Sequence, residues 1–220
     1  MTRLVLVRHG ESQVTVASVV GGPRSCTGLS PLGRLQAQRL CERWATAPEL
    51  YVDVLVASQY ARARETAEII APAIGGLPVV CEAGFGEHDP GPECDGLTYK
   101  ELLARHPGIV NGWDSQDPFA TTFPGGETIA AFQYRVGSAV RRLVEAHEGK
   151  TVVVACHGGV IEAVLRLALK APAMGAFQVY TRNASITELS LVNTNTWRIE
   201  RYNDAAHLAG LPFSTNAPGG

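Results

Sequence analysis

The sequence predicts an α/β fold, a three-layer α/β/α sandwich in which helices cover both faces of a mainly parallel, mixed central sheet. Residues 4–7 and 151–155 are short, largely apolar runs rich in β-branched side chains, which are typical of strands buried on both faces. The second of these runs, like a third one at residues 53–57, leads directly into a segment of helical composition. Strands that alternate with helices in this way favour parallel pairing.

The first long helix is marked at its start by Ser30 and Pro31, a serine N-cap and a proline at the first helical position. A buried stripe follows at helical spacing and consists of Ala37, Leu40, Cys41 and Trp44. Residues 14–29, between the first strand and this helix, have the composition of a loop.

The remaining elements follow from composition and from Gly and Pro positions. The predicted helices are 58–70, ending at Pro72, then 98–105, 127–148 and 160–169, and the predicted strands are 53–57, 77–81, 151–155, 185–192 and 197–202. Residues 107–126 are predicted to be a loop. We expect a single domain at residues 1–209 and, from its composition, a flexible C-terminal tail at 210–220.

Composition and charge limit the classes of function. The chain has 220 residues, 45% of them hydrophobic and 18% charged, which excludes a largely disordered protein. A formal net charge of −2 gives no electrostatic basis for binding nucleic acid or an anionic membrane, so neither is an expected partner. Because no apolar run approaches the length of a membrane span and no signal peptide is recognisable, we expect a cytoplasmic protein.

The cysteines and histidines do not indicate a metal site. The five cysteines include no C-x-x-C pair and are expected to be free thiols, although Cys26 and Cys94 both fall in loops and could be neighbours. The six histidines lack the spacing of a metal-ligand pair. No metal and no cofactor is expected.

Polar residues follow three of the predicted strands. Arg8, His9 and Gly10 end the first strand, Arg62 follows the second, and His157 follows the strand at 151–155. In open α/β sheets ligands bind outside the carboxyl ends of the strands, so these side chains are expected to share one site. The strand-to-helix junction at Gly158 also offers free backbone N–H groups to an anion.

Five segments together resemble the histidine phosphatase superfamily, also called phosphoglycerate mutase-like. They are residues 6–12 (LVRHGES), residues 58–67 with Arg62, Glu87, residues 123–128 (FPGGET) and residues 155–161 (ACHGGVI). The similarity extends from Arg3 to about Leu208, and the closing segment is similar to the phosphatase members. Each motif alone is weak, but five in the family's order are specific.

The resemblance implies a mechanism and its residues. His9 is the implied nucleophile that becomes phosphohistidine, Arg8, Arg62 and His157 hold the phosphoryl oxygens, and Glu87 protonates the leaving oxygen and then activates water. General chemistry agrees, because phosphoryl transfer requires positioning and positive charge, to which a protonated His157 beside a dianion contributes. Glu82 and Glu93 lie close enough in sequence to compete with Glu87 for the acid role.

Further positions are implied with less support from the motifs. Gly158 is expected to bind phosphate through its backbone, and Thr15 stands where many members have a phosphate-binding asparagine. A threonine hydroxyl can donate one hydrogen bond there. The leaving group is expected to face Ser12, Arg24, Ser25 and His88.

The implied activity is that of a metal-independent phosphoric monoester hydrolase of the histidine acid phosphatase type, with a small phosphorylated substrate and inorganic phosphate as product. A cofactor-dependent mutase is the alternative enzyme, but between Cys94 and Glu127 the chain has only Lys100 and Arg105 where mutases carry a basic lid. A non-catalytic phospho-ligand-binding protein is the other alternative. The sequence determines neither the substrate nor the oligomeric state, and a homodimer stays open.

Cys156 raises the separate possibility of a cysteine phosphatase, in which an arginine six residues after the cysteine grips phosphate. That position is Glu162, so Cys156 is expected to be a small residue at a buried strand end.

Overall fold

The computed structural model describes residues 1–120, 122–175 and 177–214. Its strands are β1 (Thr2–Arg8), β2 (Val54–Ala57), β3 (Val79–Cys81), β4 (Thr151–Cys156), β5 (Ile186–Asn193) and β6 (Thr196–Asp204). In this part of the chain they form one six-stranded sheet in the order β3-β2-β4-β1-β5-β6. β1 to β4 are parallel, whereas β5 is antiparallel to β1 and β6 to β5. The predicted mixed, mainly parallel sheet is confirmed.

Helices cover both faces of this sheet. They are α1 (Gln13–Val16), α2 (Pro31–Thr46), α3 (Ala61–Ile70), α4 (Gly91–Cys94), α5 (Tyr99–Arg105), α6 (Ile109–Ser115), α7 (Ile129–Ala146) and α8 (Gly158–Leu169). Short 3-10 turns lie at Ala71–Ile74, Ala83–Phe85 and Ala206–Leu208. Across the described ranges, none of the helices combines the length and the apolar character that crossing a bilayer requires.

The apolar runs in β1 and β4 are continuous because both faces of these strands are buried. Leu4 and Leu6 pack on α7 and α8 in one core, whereas Val5 and Val7 pack on α2 and α3 in the other. Successive side chains of a strand point to opposite faces, so each run contributes to both cores. The two cores and the sheet between them form the predicted three layers.

The start of α2 agrees with the sequence prediction. The Ser30 side chain accepts a hydrogen bond from the Gly33 backbone N–H, and proline occupies the first turn. The buried stripe differs from the predicted one at Cys41, which is only half-buried. Gln36, which precedes Ala37, is buried although it was not part of the predicted stripe. Gln36 tolerates burial because its side-chain oxygen accepts a hydrogen bond from the Glu11 backbone N–H at 2.8 Å.

Two predicted loops contain short helices. α1 (Gln13–Val16) begins at a Ser12 cap and overlaps the start of residues 14–29. α6 lies within residues 107–126 and packs Ile109 against a small apolar cluster containing Leu102. Neither segment has strong intrinsic helix propensity, so tertiary contacts and capping decide the outcome. The chain also continues helically through Pro72, which occupies the first turn of the 3-10 segment.

The C-terminal segment contacts the body of the domain at its described end. The Ser214 hydroxyl donates to the Glu11 carboxylate at 2.6 Å, and the Arg182 guanidinium lies 4.5 Å from the centre of the Phe213 ring. Residues 215–220 of the predicted flexible tail lie outside the described residues.

A largely buried histidine joins the last 3-10 turn to the sheet. His207 donates through Nε2 to the Ala184 carbonyl at 3.0 Å, and Arg43 approaches its other ring nitrogen. Burial, and then the positive charge of Arg43, lowers the pKa of His207 to about 4. Its side chain is therefore neutral in the folded protein at pH values where the unfolded chain is already protonated.

We expect this histidine to destabilise the fold as the pH falls from about 6.5 to about 4. In this window the unfolded chain binds the extra proton, so acidification favours unfolding. Replacement His207→Gln keeps a donor for Ala184 and should flatten the decline of unfolding free energy by at most about 1.4 kcal/mol per pH unit. Urea unfolding at pH 7, 6 and 5 measures this. Parallel curves for wild type and variant would contradict it, and His147→Gln provides the control.

Candidate active site

The site forms where three adjacent strands end. β4 lies between β2 and β1, so His9 after β1, Arg62 at the start of α3 and His157 after β4 meet at one edge. Parallel strands bring their carboxyl ends to the same edge, which is why residues 53, 95 and 148 apart in sequence come together. Of the sequence-predicted residues, these three form the centre.

His9 is held as a neutral ring with a defined tautomer. Its Nδ1 lies 2.6 Å from the Gly10 carbonyl oxygen, which can only accept, so the proton is on Nδ1. Its Nε2 accepts a hydrogen bond from Arg62 Nε at 3.1 Å. Burial, and then the charges of Arg62 and Arg8, lowers the pKa of His9 well below its ordinary value. Nε2 therefore carries a lone pair rather than a proton at neutral pH, and in the protein alone this lone pair accepts the Arg62 hydrogen bond.

The backbone around His9 is fixed from several sides. Asn183 donates to the His9 carbonyl at 3.0 Å, and the Gly10 N–H donates to the Thr66 hydroxyl at 3.1 Å. A Cβ on Gly10 would lie 2.3 Å from the Gly33 carbonyl oxygen, so the loop packs on the start of α2 at a distance that only glycine permits. These contacts fix the backbone from which the His9 side chain extends.

His157 shares Arg62 with His9. Arg62 Nε also lies 3.3 Å from His157 Nδ1, and His157 Nε2 donates to the Ser58 hydroxyl at 2.8 Å. Burial, and then Arg62, lowers the pKa of His157 well below its ordinary value, so this ring is neutral as well. In the protein alone the positive charge of the site therefore comes from the arginines, whereas the protonated His157 expected from the sequence concerns a site that holds a dianion. The Tyr60 ring packs edge-on against His157 at 4.9 Å.

Arg8 and the start of α8 lie beside this pair. The Arg8 guanidinium donates to the Thr181 carbonyl, and a Cβ on Gly158 would lie 3.6 Å from the guanidinium carbon. Burial lowers the pKa of Arg8, and the nearby Glu87 carboxylate opposes this effect. Within the described ranges, Arg8 Nε and the Thr181 hydroxyl are buried without a hydrogen-bond partner. Buried polar atoms of this kind are normally satisfied, so they indicate a binding surface for a polar group.

The Glu87 carboxylate is positioned at the other side of the α8 terminus. Its oxygens accept hydrogen bonds from the backbone N–H groups of Gly159 at 3.1 Å and His88 at 3.0 Å. The competing carboxylates lie elsewhere: Glu82 caps Gly84 and pairs with Arg142, and Glu93 is exposed in α4. The structure therefore brings Glu87, of the three candidates, to the histidine site.

Arg135 supports the Glu87 loop and was not singled out from the sequence. Its guanidinium donates to the carbonyl oxygens of Gly84, Gly86 and Glu87 at 3.0, 3.0 and 3.2 Å, and to both carboxylate oxygens of Glu127 at 2.9 and 2.8 Å. All five of its N–H groups are engaged. The sequence signal was limited to the spacing of Glu127 and Arg135, eight residues apart at the start of a helix.

We expect Gly159→Ala to displace the Glu87 carboxylate. A Cβ at this position would lie 2.3 Å from Glu87 Oε1, well inside contact distance. With Glu87 as the general acid that the family resemblance implies, the displacement should lower kcat for alkyl phosphates by about 10²-fold. Steady-state rates with an alkyl phosphate and with p-nitrophenyl phosphate measure it, and the second substrate should be less affected because nitrophenolate leaves without a proton.

The matched control is Gly137→Ala in α7, where a Cβ would meet no atom closer than 4.0 Å. This variant should keep the wild-type rate. Equal rates for Gly159→Ala and wild type on both substrates would show that the Glu87 position does not depend on this glycine.

Thr15 and Ser12 contact each other rather than the histidines. The two hydroxyls are 2.8 Å apart, and Ser12 caps α1 through the Thr15 N–H. Arg24 and Ser25 hold a loop, since their backbone N–H groups donate to the Asp95 carboxylate at 2.8 and 3.2 Å. Although burial alone raises the pKa of Asp95, hydrogen bonds from Ser25 and these N–H groups lower it. The described contacts of these four residues do not reach His9 or Glu87.

His88, by contrast, lies next to Glu87 at the wall of a cavity. Its Nε2 donates to the Glu127 carbonyl at 2.6 Å, and its ring packs within 6 Å of three aromatic rings, those of Trp113, Phe123 and Phe132. The prediction that His88 faces the leaving group is compatible with this position.

Cys156 is fully buried at the end of β4 and belongs to the core on the α7 and α8 side. Burial raises the pKa of its thiol, which disfavours the reactive thiolate. All five cysteines are free thiols. Among the described residues, no three His, Cys, Asp or Glu side chains are grouped so that they could hold a metal ion.

Comparison with known proteins defines the class of the chain. The family model of the histidine phosphatase superfamily (branch 1) matches residues 4–205. Phosphoglycerate mutase-like protein 4 of Arabidopsis thaliana is 30% identical over 217 residues, covering 99% of this chain and 91% of that protein. The chain therefore belongs to the histidine phosphatase superfamily.

Solved structures show the same fold and include phosphatases. A mycobacterial glucosyl-3-phosphoglycerate phosphatase matches with a TM-score of 0.75 and 29% identity, covering 92% of this chain and 99% of that one. The alpha-ribazole phosphatase from Shigella flexneri matches with a TM-score of 0.80 and 23% identity, covering 92% of this chain and 96% of that one. At the latter identity the similarity concerns the fold alone.

Proposed function

We propose that this protein is a phosphomonoester hydrolase in which His9 is the nucleophile. The observation that carries the proposal is the unprotonated Nε2 of a neutral, buried His9, which faces the guanidinium of Arg62 at 3.1 Å. A neutral imidazole nitrogen with a fixed lone pair is a competent nucleophile toward phosphorus. The reaction would form the Nε2–P bond while the bond from phosphorus to the leaving oxygen breaks.

The proposed phosphoryl clamp consists of Arg8, Arg62, His157 and the Gly158 backbone. The buried Nε of Arg8 and the Thr181 hydroxyl are partnerless within the described ranges and are suited to phosphoryl oxygens. A bound dianion would offset the two guanidinium charges that lower the pKa of His157. We expect His157 to take up a proton on binding and so to contribute the third cationic contact. Thr15, bonded to Ser12, is left out of this clamp.

Glu87 is proposed to move the proton in both half-reactions. In the first it would donate a proton to the leaving oxygen, which departs as an alcohol. In the second its carboxylate would take a proton from water as the water oxygen attacks phosphorus. The Nε2–P bond then breaks, His9 is regenerated as a neutral ring, and inorganic phosphate leaves.

Hydrolysis is favoured over phosphoryl transfer between two positions of a phosphoglycerate. A mutase must hold a second anionic group, which requires further cations near the site. The two basic residues between Cys94 and Glu127, Lys100 and Arg105, are both exposed. We therefore propose a small phosphorylated substrate, and no metal, nucleic acid or membrane takes part in the proposed reaction.

The test is hydrolysis of p-nitrophenyl phosphate in EDTA from pH 4 to 8, with acid-labile phosphoenzyme trapped after rapid mixing. We expect turnover in EDTA and a phosphohistidine on His9. Turnover that needs a divalent metal, or a phosphoenzyme on another residue, would contradict the proposal. Activity only with 3-phosphoglycerate and its bisphosphate cofactor would identify a mutase, and tight phosphate binding without turnover would identify a binding protein.

A further inference from the structure

A cavity of about 440 Å³ lies on the Glu87 side of the site. Its wall includes Gly159, whose N–H binds the Glu87 carboxylate, and His88, the next residue after Glu87. When Glu87 donates a proton to the leaving oxygen, the carbon skeleton attached to that oxygen lies on the Glu87 side of the site. The cavity is therefore the place for the leaving group, and its lining indicates which leaving groups fit. Its volume lies in the range usual for small-molecule sites.

Arg166, the one arginine among the described lining residues, is engaged on all three guanidinium nitrogens. Its Nη1 donates to the carbonyls of Pro172 and Gly175 at 2.9 and 3.0 Å. Its Nη2 donates to the Phe177 carbonyl at 2.6 Å and pairs with Glu162 at 2.7 Å, and its Nε donates to Glu162 at 2.8 Å. Four of the five donors are thus in hydrogen bonds, and Nη2 is also in ion-pair contact with Glu162, so each of the three nitrogens is engaged.

The charges around the cavity therefore cancel or are already engaged. Glu162, which also lines the cavity, neutralises Arg166 and leaves a partly exposed carboxylate at the wall. Arg135, which supports the Glu87 loop from α7, is likewise engaged through all five donors. A leaving group that carries a carboxylate or a second phosphate would meet no free cation among the described lining residues, and it would meet the Glu162 carboxylate. Burial of an unpaired charge is costly.

The remaining lining combines aromatic faces with side-chain amides. The cavity wall includes the aromatic rings of Trp113, Phe132 and Phe177 and the side-chain amides of Gln116, Gln133 and Gln178. Amides donate and accept hydrogen bonds, as hydroxyl groups require, and aromatic faces pack against the apolar face of a ring. This combination suits a sugar-like ring, and among the described lining residues it offers no free cation to pair with a second anionic group.

We infer that the cavity selects phosphomonoesters whose leaving group is an uncharged, hydroxyl-bearing ring, and that it discriminates against leaving groups with a second negative charge. The inference rests on the proposed function for the position of the phosphoryl group. A sugar phosphate and a nucleoside monophosphate share this chemistry, since each carries a neutral hydroxylated ring. Phosphoglycerates and phosphoserine fall outside the class because each carries a carboxylate.

The first test compares two substrates that differ in one group. Glycerol 3-phosphate has a CH₂OH group where 3-phosphoglycerate has a carboxylate, and the rest of the molecule is the same. We expect kcat/KM to be at least about tenfold higher for glycerol 3-phosphate, because the carboxylate would be buried without a partner. Glucose 6-phosphate and adenosine 5′-monophosphate form the second pair, and at least one should exceed glycerol 3-phosphate; the higher of the two identifies the ring class.

A variant tests whether the cavity causes the selectivity. Gln133→Arg places a cation in the wall and should reduce the preference for glycerol 3-phosphate over 3-phosphoglycerate by about tenfold. Gln38→Arg adds the same charge at an exposed position on α2 and should leave the preference unchanged. A preference that changes equally in both variants would assign the effect to overall charge and overturn the inference.

Failure of the proposed function can be separated from failure of this inference. Hydrolysis of p-nitrophenyl phosphate with trapped phosphohistidine reports on the proposed function alone. Calorimetric binding of the same four esters to His9→Ala reports on selectivity without turnover. Equal or tighter binding of 3-phosphoglycerate than of glycerol 3-phosphate would overturn the inference whether or not the wild-type protein is an active hydrolase.

Discussion

His9→Ala is expected to reduce hydrolysis of p-nitrophenyl phosphate by at least about 10⁴-fold and to eliminate the trapped phosphoenzyme. The substitution removes the Nε2 lone pair of the proposed nucleophile, and the Nε2 of the neighbouring His157 carries a proton that it donates to Ser58. The arginines remain, so phosphate should still bind. The steady-state rate, the rapid-quench phosphoenzyme yield and phosphate affinity measure these effects together.

The fold should survive the His9 substitution. His9 is only 5% exposed, but it is a polar residue that follows the strand and belongs to neither core. The hydrogen bond from Asn183 to the His9 carbonyl does not involve the ring and remains in the variant. We expect the unfolding free energy to change by no more than about 2 kcal/mol. His147→Ala, at the end of α7, is the matched control and should keep full activity. Substantial turnover by a folded His9→Ala protein would eliminate the phosphohistidine mechanism.

Arg62→Ala is expected to have the second-largest effect, about a 10³-fold to 10⁵-fold loss of kcat/KM. Arg62 contacts both histidines through Nε and anchors the Gly21 carbonyl through Nη1 at 3.2 Å. Its charge attracts the phosphoryl group in the ground state and in the transition state, so KM should rise while kcat falls. Arg64→Ala, an exposed arginine in the same helix, should have no comparable effect.

The pH profile provides a sharper readout of Arg62. After burial, the Arg62 charge is the largest cause that lowers the pKa of His9. Without that charge the His9 pKa rises, so the pH below which His9 is protonated and inactive moves upward. Arg62→Lys keeps the charge but offers one ammonium in place of a planar fork, so it should lose rate while shifting the acid limb less. An unchanged acid limb in Arg62→Ala would contradict this assignment.

The centre of the site could be predicted because it depends on sheet geometry. His9, Arg62 and His157 each follow a parallel strand, and apolar runs mark those strands in the sequence. Their convergence then follows from the rule that such strands end at one edge. The neutral state of His157 could not be predicted, since it depends on burial and on the position of the Arg62 charge.

The contacts that hold the Glu87 loop could not be predicted, for a different reason. Arg135 binds the backbone carbonyls of the Glu87 loop, and carbonyl groups have no sequence identity, so no motif records the contact. The helices α1 and α6 were missed because Ser12 capping and the packing of Ile109 outweigh weak local propensity. The organisation of the Arg24 and Ser25 loop by the Asp95 carboxylate was likewise not predicted, because its hydrogen bonds come from backbone N–H groups.

The place of β4 in the sheet also governs how the active protein can form. β1 and β2 are not neighbours, and β4, which begins 149 residues after β1 begins, separates them. During synthesis β1 and β2 are therefore made before β4, the strand that joins them. His9 and Arg62, which follow these two strands, cannot be aligned until β4 has been made and has paired with both. Parallel pairings between distant segments form slowly. Recovery of activity during refolding should accordingly coincide with hydrogen-exchange protection of β4, and β1, whose two neighbours β4 and β5 both come later in the chain, should be unprotected until that moment.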